Sequence, residues 1–310
     1  MKAKTPAHIA LLVLFVVGPA HALIIFNGDN LANTTDPGGV PWDATARMAN
    51  YDGSSVTAVG ETAVHLGDGY MLTANHSGNS THVSFDGSTW LEVDSGFTPQ
   101  QVAPDVDLKI FKLTSTPITS AVILHDNSGG ELNTSGTIVG WGRGREFDAQ
   151  IGEDIQDFGK DPTIDKRWGT NTIREAASES WIVGSTTYTQ DALTAVLGNT
   201  EGDNEFALAL HDSGSPYFQD IGGTIVLSGI AATRSIQNGG VGDYKATFGD
   251  DRLTGSPFGR GDENLFVQVG AYADEIAAIV PEPNNFGLFS SLLATFAISG
   301  LRRRKREFKG

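Results

Sequence analysis

The chain contains no cysteine. Thiol nucleophiles, cysteine-based zinc sites and disulfides are therefore excluded, and an exported domain of this sequence must be stabilised by burial and hydrogen bonding. Basic residues are also scarce, 21 against 37 acidic ones in 310 residues, for a net charge of −16. Eight of the 21 lie at the two ends, Lys2 and Lys4 at one and six within residues 302–309 at the other. With Lys2, Lys4 and the net four positive charges of residues 281–310 set aside, residues 23–280 carry −22. Such a surface repels phosphate backbones, which argues against a nucleic-acid partner and favours solubility. Long apolar runs are confined to the termini, and helix-like periods are few. Glycine is abundant instead, at 38 residues, and with Thr, Ser, Asn and Asp it points to β structure joined by many turns.

The first 22 residues combine Lys2 and Lys4, an apolar run from Ile9 to Val17 and the small-residue pattern Ala20-His21-Ala22. This is the layout of a secretory signal peptide cut after Ala22. At the other end, Phe286 to Leu301 carries no charge and is followed by the basic cluster Arg302 to Arg306. About 16 residues is short for a spanning helix, which needs roughly 20, and the basic cluster is expected to stay on the cytoplasmic side. With Pro281-Glu282-Pro283 ahead of it, this tail resembles the PEP-CTERM sorting signal of Gram-negative bacteria. The resemblance implies transient anchoring in the inner membrane, removal by an exosortase-type enzyme, and delivery to the cell surface or extracellular matrix. Three segments are expected: a signal peptide over 1–22, one domain over 23–280, and a sorting signal with its transmembrane segment over 281–310.

Within the domain, residues 61–76 read as a strand, a Gly67-Asp68-Gly69 turn, a second strand and then His76. Residues 81–93 read as a hairpin with a two-residue turn at Asp86-Gly87. Asp107 opens an apolar strand through Leu113, and residues 135–144 form another strand with a glycine-rich end. The polar, acidic stretch from about 143 to 170 reads as an extended surface loop. Two strands follow around "HDSGSP" at 211–216 and in residues 222–235, and residues 264–280 pass from strand to helix, with Tyr272, Ile276 and Ile279 on one face.

Acyl transfer by a serine needs a base, a carboxylate that holds the base in the right tautomer, and backbone donors for the oxyanion. His76, Asp107 and Ser213 occur in that order and have the right chemistry for those roles. Asp105 competes for the acid's role, being two residues earlier on the same face of an extended chain. The flanks decide for Asp107: YMLTANH, DLKIFKL, GWG at 140–142, HDSGSP and FVQVGAYADEI together resemble the trypsin-like serine proteases, from about residue 60 to 280. The resemblance implies two packed six-stranded antiparallel β-barrels with a short C-terminal helix, a peptide or protein substrate and no cofactor. It makes His76 the base, Asp107 its orienting acid, Ser213 the nucleophile, and the N–H groups of His211 and Ser213 the oxyanion hole.

The departures are specific. Ser77 stands where the family has cysteine, Ser215 where it has a second glycine, and His211 where it has the oxyanion glycine. Ala207 falls at the base of the substrate pocket, and Ala232, Thr233 and Arg234 fall where the family runs Ser-Trp-Gly. A small or apolar side chain before the scissile bond is expected, with acidic substrates at Arg234 the other option. Asp212 is expected to pair with an N-terminus freed at Leu23. His65, His82 and His125 lack zinc-site spacing, and the acidic segments at 152–161 and 201–205 do not match a calcium loop, so no metal is expected. The alternative function is a non-catalytic, protease-like binding or matrix protein at the cell surface, motivated by His211 and the altered pocket strand.

Overall fold

The computed structural model describes residues 23–25, 32–145, 154–155, 158–183, 185–196, 202–235, 246–247 and 263–281. The signal-peptide segment, Glu282, Pro283 and the apolar tail lie outside these residues. Among the described residues no helix is long and apolar enough to cross a membrane.

The strands are β1 (Ile24–Ile25), β2 (Thr45–Tyr51), β3 (Val56–Gly67), β4 (Tyr70–Thr73), β5 (His82–Ser84), β6 (Leu91–Glu92), β7 (Gln100–Gln101), β8 (Lys109–Lys112) and β9 (Ser135–Gly140). They continue with β10 (Arg143–Arg145), β11 (Asp154–Ile155), β12 (Phe158–Ile164), β13 (Arg167–Val183), β14 (Thr186–Val196) and β15 (Phe206–Ala207). The last are β16 (Pro216–Ile221), β17 (Thr224–Ser235), β18 (Ala246–Thr247) and β19 (Glu263–Gln268), followed by the helix α1 (Ala273–Ile279). The fold is all-β with one short C-terminal helix, as expected.

The first lobe is an antiparallel sheet in the order β6-β5-β2-β3-β4-β8-β7. A bridge between Val93 and Leu113 joins the ends of β6 and β8, supported by Asp94 N–H to Lys112 O at 2.8 Å and Thr114 N–H to Glu92 O at 3.0 Å. Six strands thereby form a ring, and β7 is a short addition to the edge of β8. The tight β3–β4 connection depends on positive φ at Gly67, Asp68 and Gly69, which the two glycines supply without steric cost. The second lobe is a closed barrel, β13-β14-β19-β17-β16-β9.

Each lobe has its own apolar interior: Met48, Ala63, Met71, Val83 and Phe111 in the first, Ile138, Leu193, Tyr217, Ala231 and Phe266 in the second. A third cluster spans the interface, joining Leu72, Leu108 and Ile110 to Trp181, Phe218, Leu227 and Val267. The alternation of β8 explains its place between two of these clusters, because Ile110 points to the interface while Phe111 points into its own lobe. Ile276 of α1, fully buried, closes the interface cluster, with Tyr272 and Ile279 packed against it.

Two expectations fail. Residues 85–90 form a longer loop between β5 and β6 in place of a two-residue turn, because the Asp86 carboxylate accepts from Ser88 N at 2.8 Å and Thr89 N at 2.6 Å and holds the wider loop. The described part of 143–170 is largely strand, and Ile164, Lys166 and Arg167 within it are buried. Arg167 and Trp168 pair with Gly140 and Val139 of β9, so the charges of Lys166 and Arg167 lie in the interior rather than on a solvated loop.

Candidate active site

Three loop ends meet between the lobes. His76 follows β4, Asp107 precedes β8, which pairs with β4, and Ser213 precedes β16 of the second lobe. His76 Nδ1 lies 2.7 Å from Asp107 Oδ2, and His76 Nε2 lies 2.8 Å from Ser213 Oγ. The His76 backbone N–H also donates to Asp107 Oδ1 at 2.9 Å, so one carboxylate fixes both the peptide and the ring of the histidine. With Nδ1–H directed at a fully buried carboxylate, Nε2 is left to accept the serine proton. The three predicted residues are thus brought together as a continuous hydrogen-bonded chain. Asp105 is not part of it: it is exposed, at φ +58°.

The surroundings of Asp107 escaped the sequence reading. Trp181 Nε1 donates to Asp107 Oδ2 at 3.0 Å, and Asp107 N–H donates to Gln190 Oε1 at 2.5 Å. Tyr188 OH accepts from Asn75 Nδ2 at 3.3 Å. These residues lie about 70–110 positions from their partners and carry no local signal. Beneath His76, the buried Lys109 ammonium donates to the carbonyl of Ser77, the position at which the expected cysteine is absent. Burial lowers the pKa of Lys109, opposed by the negative charges of Glu61 and Asp107. Burial likewise raises that of Glu61, opposed first by His76. A buried cation and a half-buried carboxylate thus flank the histidine loop.

The serine loop is clasped by β3. Thr62 N–H donates to Ser213 O at 3.0 Å, Thr62 Oγ1 donates to His211 O at 3.2 Å, and Trp141 N–H donates to Thr62 Oγ1 at 3.0 Å. Gly214 is required by this approach: it sits at φ +86°, and a Cβ there would lie 2.0 Å from Thr62 O. His211 is at φ +75°, the left-handed region that the glycine of the resembled family would adopt freely. The carbonyl of Leu210 accepts from Arg143 N–H at 2.8 Å, and in a trans peptide the N–H of His211 then points the opposite way. Among the described residues, neither His211 N–H nor Ser213 N–H donates to a protein acceptor, so both remain available to a developing oxyanion. The His211 imidazole is half-buried, its two nitrogens have no hydrogen-bond partner among the described residues, and burial lowers its pKa to about 4, reinforced by Arg143 and Arg47. Its side chain takes no part in the triad.

Asp212 is fully buried beneath this loop. Its Oδ2 accepts from Ala209 N–H at 2.8 Å, and among the described residues no hydrogen bond of ordinary distance and angle reaches its Oδ1. Burial raises its pKa to about 7, opposed by backbone donors from Ala209 and Gly142 and by the charge of Arg167. Arg167 Nη1 donates to Leu23 O at 2.9 Å. Leu23 is itself buried, and a Cβ on Gly140 would meet Asp212 Oδ1 at 2.5 Å and Leu23 Cγ at 3.3 Å, so Leu23 and Asp212 both crowd the same glycine.

Ala207 pairs with Ile24 across the β1–β15 ladder and is buried. Leu208 N–H is held by Asn264 Oδ1 at 2.8 Å. Ala232 O accepts from Ser213 Oγ at 3.3 Å, and Thr233 follows it on β17 towards Arg234, whose side chain lies outside the described residues. Of the pocket candidates, Ala232 contacts Ser213, Thr233 follows it on the same strand, and Ala207 brings no acid. Elsewhere, His65 is a satisfied core histidine, its Nδ1 2.8 Å from Thr119 Oγ1 and its Nε2 accepting from Gly69 N–H at 3.1 Å. His125 contacts the buried Glu131 at 3.1 Å. Among the described residues no group of three metal-ligating side chains converges.

No protein-family model and no curated protein sequence matches the chain. Among solved structures it is similar to the Rv3671c protease of M. tuberculosis. The active form has a TM-score of 0.48 and 16% identity, over 86% of this chain and 93% of that one. The inactive form has a TM-score of 0.45 and 15% identity, over 77% of this chain and 90% of that one.

Proposed function

We propose that the protein is a serine endopeptidase that cleaves peptide bonds through an acyl-enzyme, with Ser213 as nucleophile, His76 as general base and acid, and Asp107 as the group that orients His76. The observation that carries this reading is the unbroken run Asp107 Oδ2, His76 Nδ1, His76 Nε2, Ser213 Oγ, with links of 2.7 and 2.8 Å. Ser213 Oγ attacks the scissile carbonyl carbon as its proton passes to His76 Nε2. The N–H groups of His211 and Ser213 take the negative charge on the carbonyl oxygen, and removing one such donor typically costs about 10²- to 10³-fold in rate. The tetrahedral intermediate then collapses, its C–N bond breaks, and His76 gives the proton to the leaving amine. Water, deprotonated by His76, attacks the ester in the same way and regenerates Ser213.

The pocket reading follows from Ala207, Ala232 and Thr233: small, uncharged groups at the positions that the resemblance assigns to the pocket suit a small or apolar side chain before the scissile bond. Release of the chain at Leu23 by signal-peptide cleavage would supply an α-ammonium on a residue whose side chain shares Gly140 as a neighbour with Asp212 Oδ1, an oxygen that has no hydrogen-bond partner among the described residues. The tail from Pro281 through the arginine cluster serves as the temporary anchor, removed by an exosortase-type enzyme at the cell envelope. Incubating the purified protein with a denatured protein substrate and a peptide library tests the reading. Cleavage after small apolar residues, lost in Ser213→Ala and His76→Ala, is expected. A folded protein that cuts nothing supports the binding or matrix alternative.

A further inference from the structure

Strands β13 and β14 are longer than the barrel requires. β9 pairs with β13 only over Arg167–Thr172, and β19 pairs with β14 only over Ala192–Val196. From Ala177 to Asp191 the two strands pair with each other alone, so this part of the hairpin is an arm that overhangs its own barrel. Alternation places Trp181, Tyr188 and Gln190 on one face, where all three are buried, while Ile182 on the other face is 70% exposed. The buried face lies on the first lobe, at the segments that carry the histidine and the aspartate. Thr189 N–H donates to Asp105 O at 2.9 Å, Asp107 N–H to Gln190 Oε1 at 2.5 Å, Asn75 Nδ2 to Tyr188 OH at 3.3 Å, and Trp181 Nε1 to Asp107 Oδ2 at 3.0 Å.

The bonds of the Asp107 carboxylate show why the arm matters. It receives three donors: His76 N–H, His76 Nδ1–H and Trp181 Nε1–H. Two of the three come from His76 itself. Without Trp181 the carboxylate and the histidine would still be tied to each other, but the carboxylate would receive no side-chain donor from outside that pair. Ala232, beside Ser213, has only a methyl group and supplies no replacement donor. Gln190 fixes the Asp107 peptide in the same way that Trp181 fixes its carboxylate, and both come from the lobe that holds Ser213.

We propose that Trp181 and Gln190 are positioning residues, and that the overhanging β13–β14 arm straps the acid of one lobe in register with the serine of the other. The kinetic part of this inference rests on the protease reading; the structural part does not. Trp181→Phe removes the N–H donor while keeping an aromatic ring. The expected result is a fall in kcat of about tenfold with KM unchanged, the scale of one hydrogen bond to a charged group. The low-field proton resonance of His76 Nδ1–H should also broaden or disappear, because its exchange with water speeds up once Asp107 is loosened. Ile182→Ser, on the exposed face of the same strand, should alter neither readout. If Trp181→Phe does not fold, Gln190→Ala, which removes the acceptor of the Asp107 N–H, is held to the same two readouts. An unchanged kcat together with an unchanged resonance in the folded variant overturns the proposal. An inactive wild type whose resonance is nevertheless lost in Trp181→Phe upholds the strap and rejects the protease reading, so the two failures are distinct.

Discussion

The Thr62 hydroxyl donates to the carbonyl of His211 at 3.2 Å and accepts from Trp141 N–H at 3.0 Å, so one buried side chain of the first lobe holds the serine loop of the second. The loop's left-handed residue is thereby fixed on its carbonyl side, while its N–H stays free.

Thr62→Val keeps the shape of the side chain and deletes both bonds. It strands a buried carbonyl and a buried amide, at about 2 kcal/mol or more of stability. Chemical denaturation should show that loss, with hydrolytic activity falling alongside it, and Thr62→Ser, which restores the hydroxyl, should recover most of both. Equal stability of Thr62→Val and wild type would mean the clasp contributes nothing.

His211→Gly should be tolerated in activity, because the proposed oxyanion donor is a backbone N–H that glycine retains. Holding a side-chain-bearing residue at φ +75° costs on the order of 1 kcal/mol, so the variant should match or exceed the wild type in Tm. The pH dependence has a definite sign. His211 has its pKa lowered from 6.5 to about 4 by burial first and by Arg143 and Arg47 second. As pH falls from 6.5 towards 4, the unfolded chain takes up a proton that the folded chain refuses, and stability is lost. His211→Gly should lack that component, which thermal melts of the two proteins across this range would show.

Asp212 gives the opposite slope. Burial raises its pKa from 3.8 to about 7, so its contribution is fully present below pH 3.8 and is lost as pH rises towards 7. In the chain still joined to residues 1–22, Asp212→Asn should flatten stability across that window. In the processed protein the α-ammonium of Leu23 should oppose the loss, and one extra alanine ahead of Leu23 should lower activity. Unchanged activity in the extended protein would count against N-terminal pairing with Asp212.

The sequence was legible where chemistry and pattern coincide. Asp107 was separable from Asp105 because Leu108, Ile110 and Leu113 follow it as a buried strand. His211 stands where the resembled family has a glycine, and it takes a positive φ. Trp181 and Gln190 were not legible, since they reach Asp107 through a hairpin whose exposed half, Ser178, Ser180 and Thr187 among it, reads as polar and unremarked chain. Arg167 was misplaced in a surface loop because a sequence records its charge but not the buried Asp212 that offsets it. The Asp86 loop was misread because a side chain capping two backbone amides widened a turn that its Asp-Gly pair would have made tight.

The central claim is that Ser213 is activated by His76 and Asp107. A fluorophosphonate reacts with a serine only when its proton can be removed and the developing oxyanion accommodated, so intact-mass measurement after exposure to such a probe addresses the claim without knowledge of the substrate. The predicted result is one covalent adduct per chain, mapped to Ser213, absent in Ser213→Ala and strongly reduced in His76→Ala. A folded wild-type protein that remains unmodified, or one labelled equally in Ser213→Ala, would contradict it.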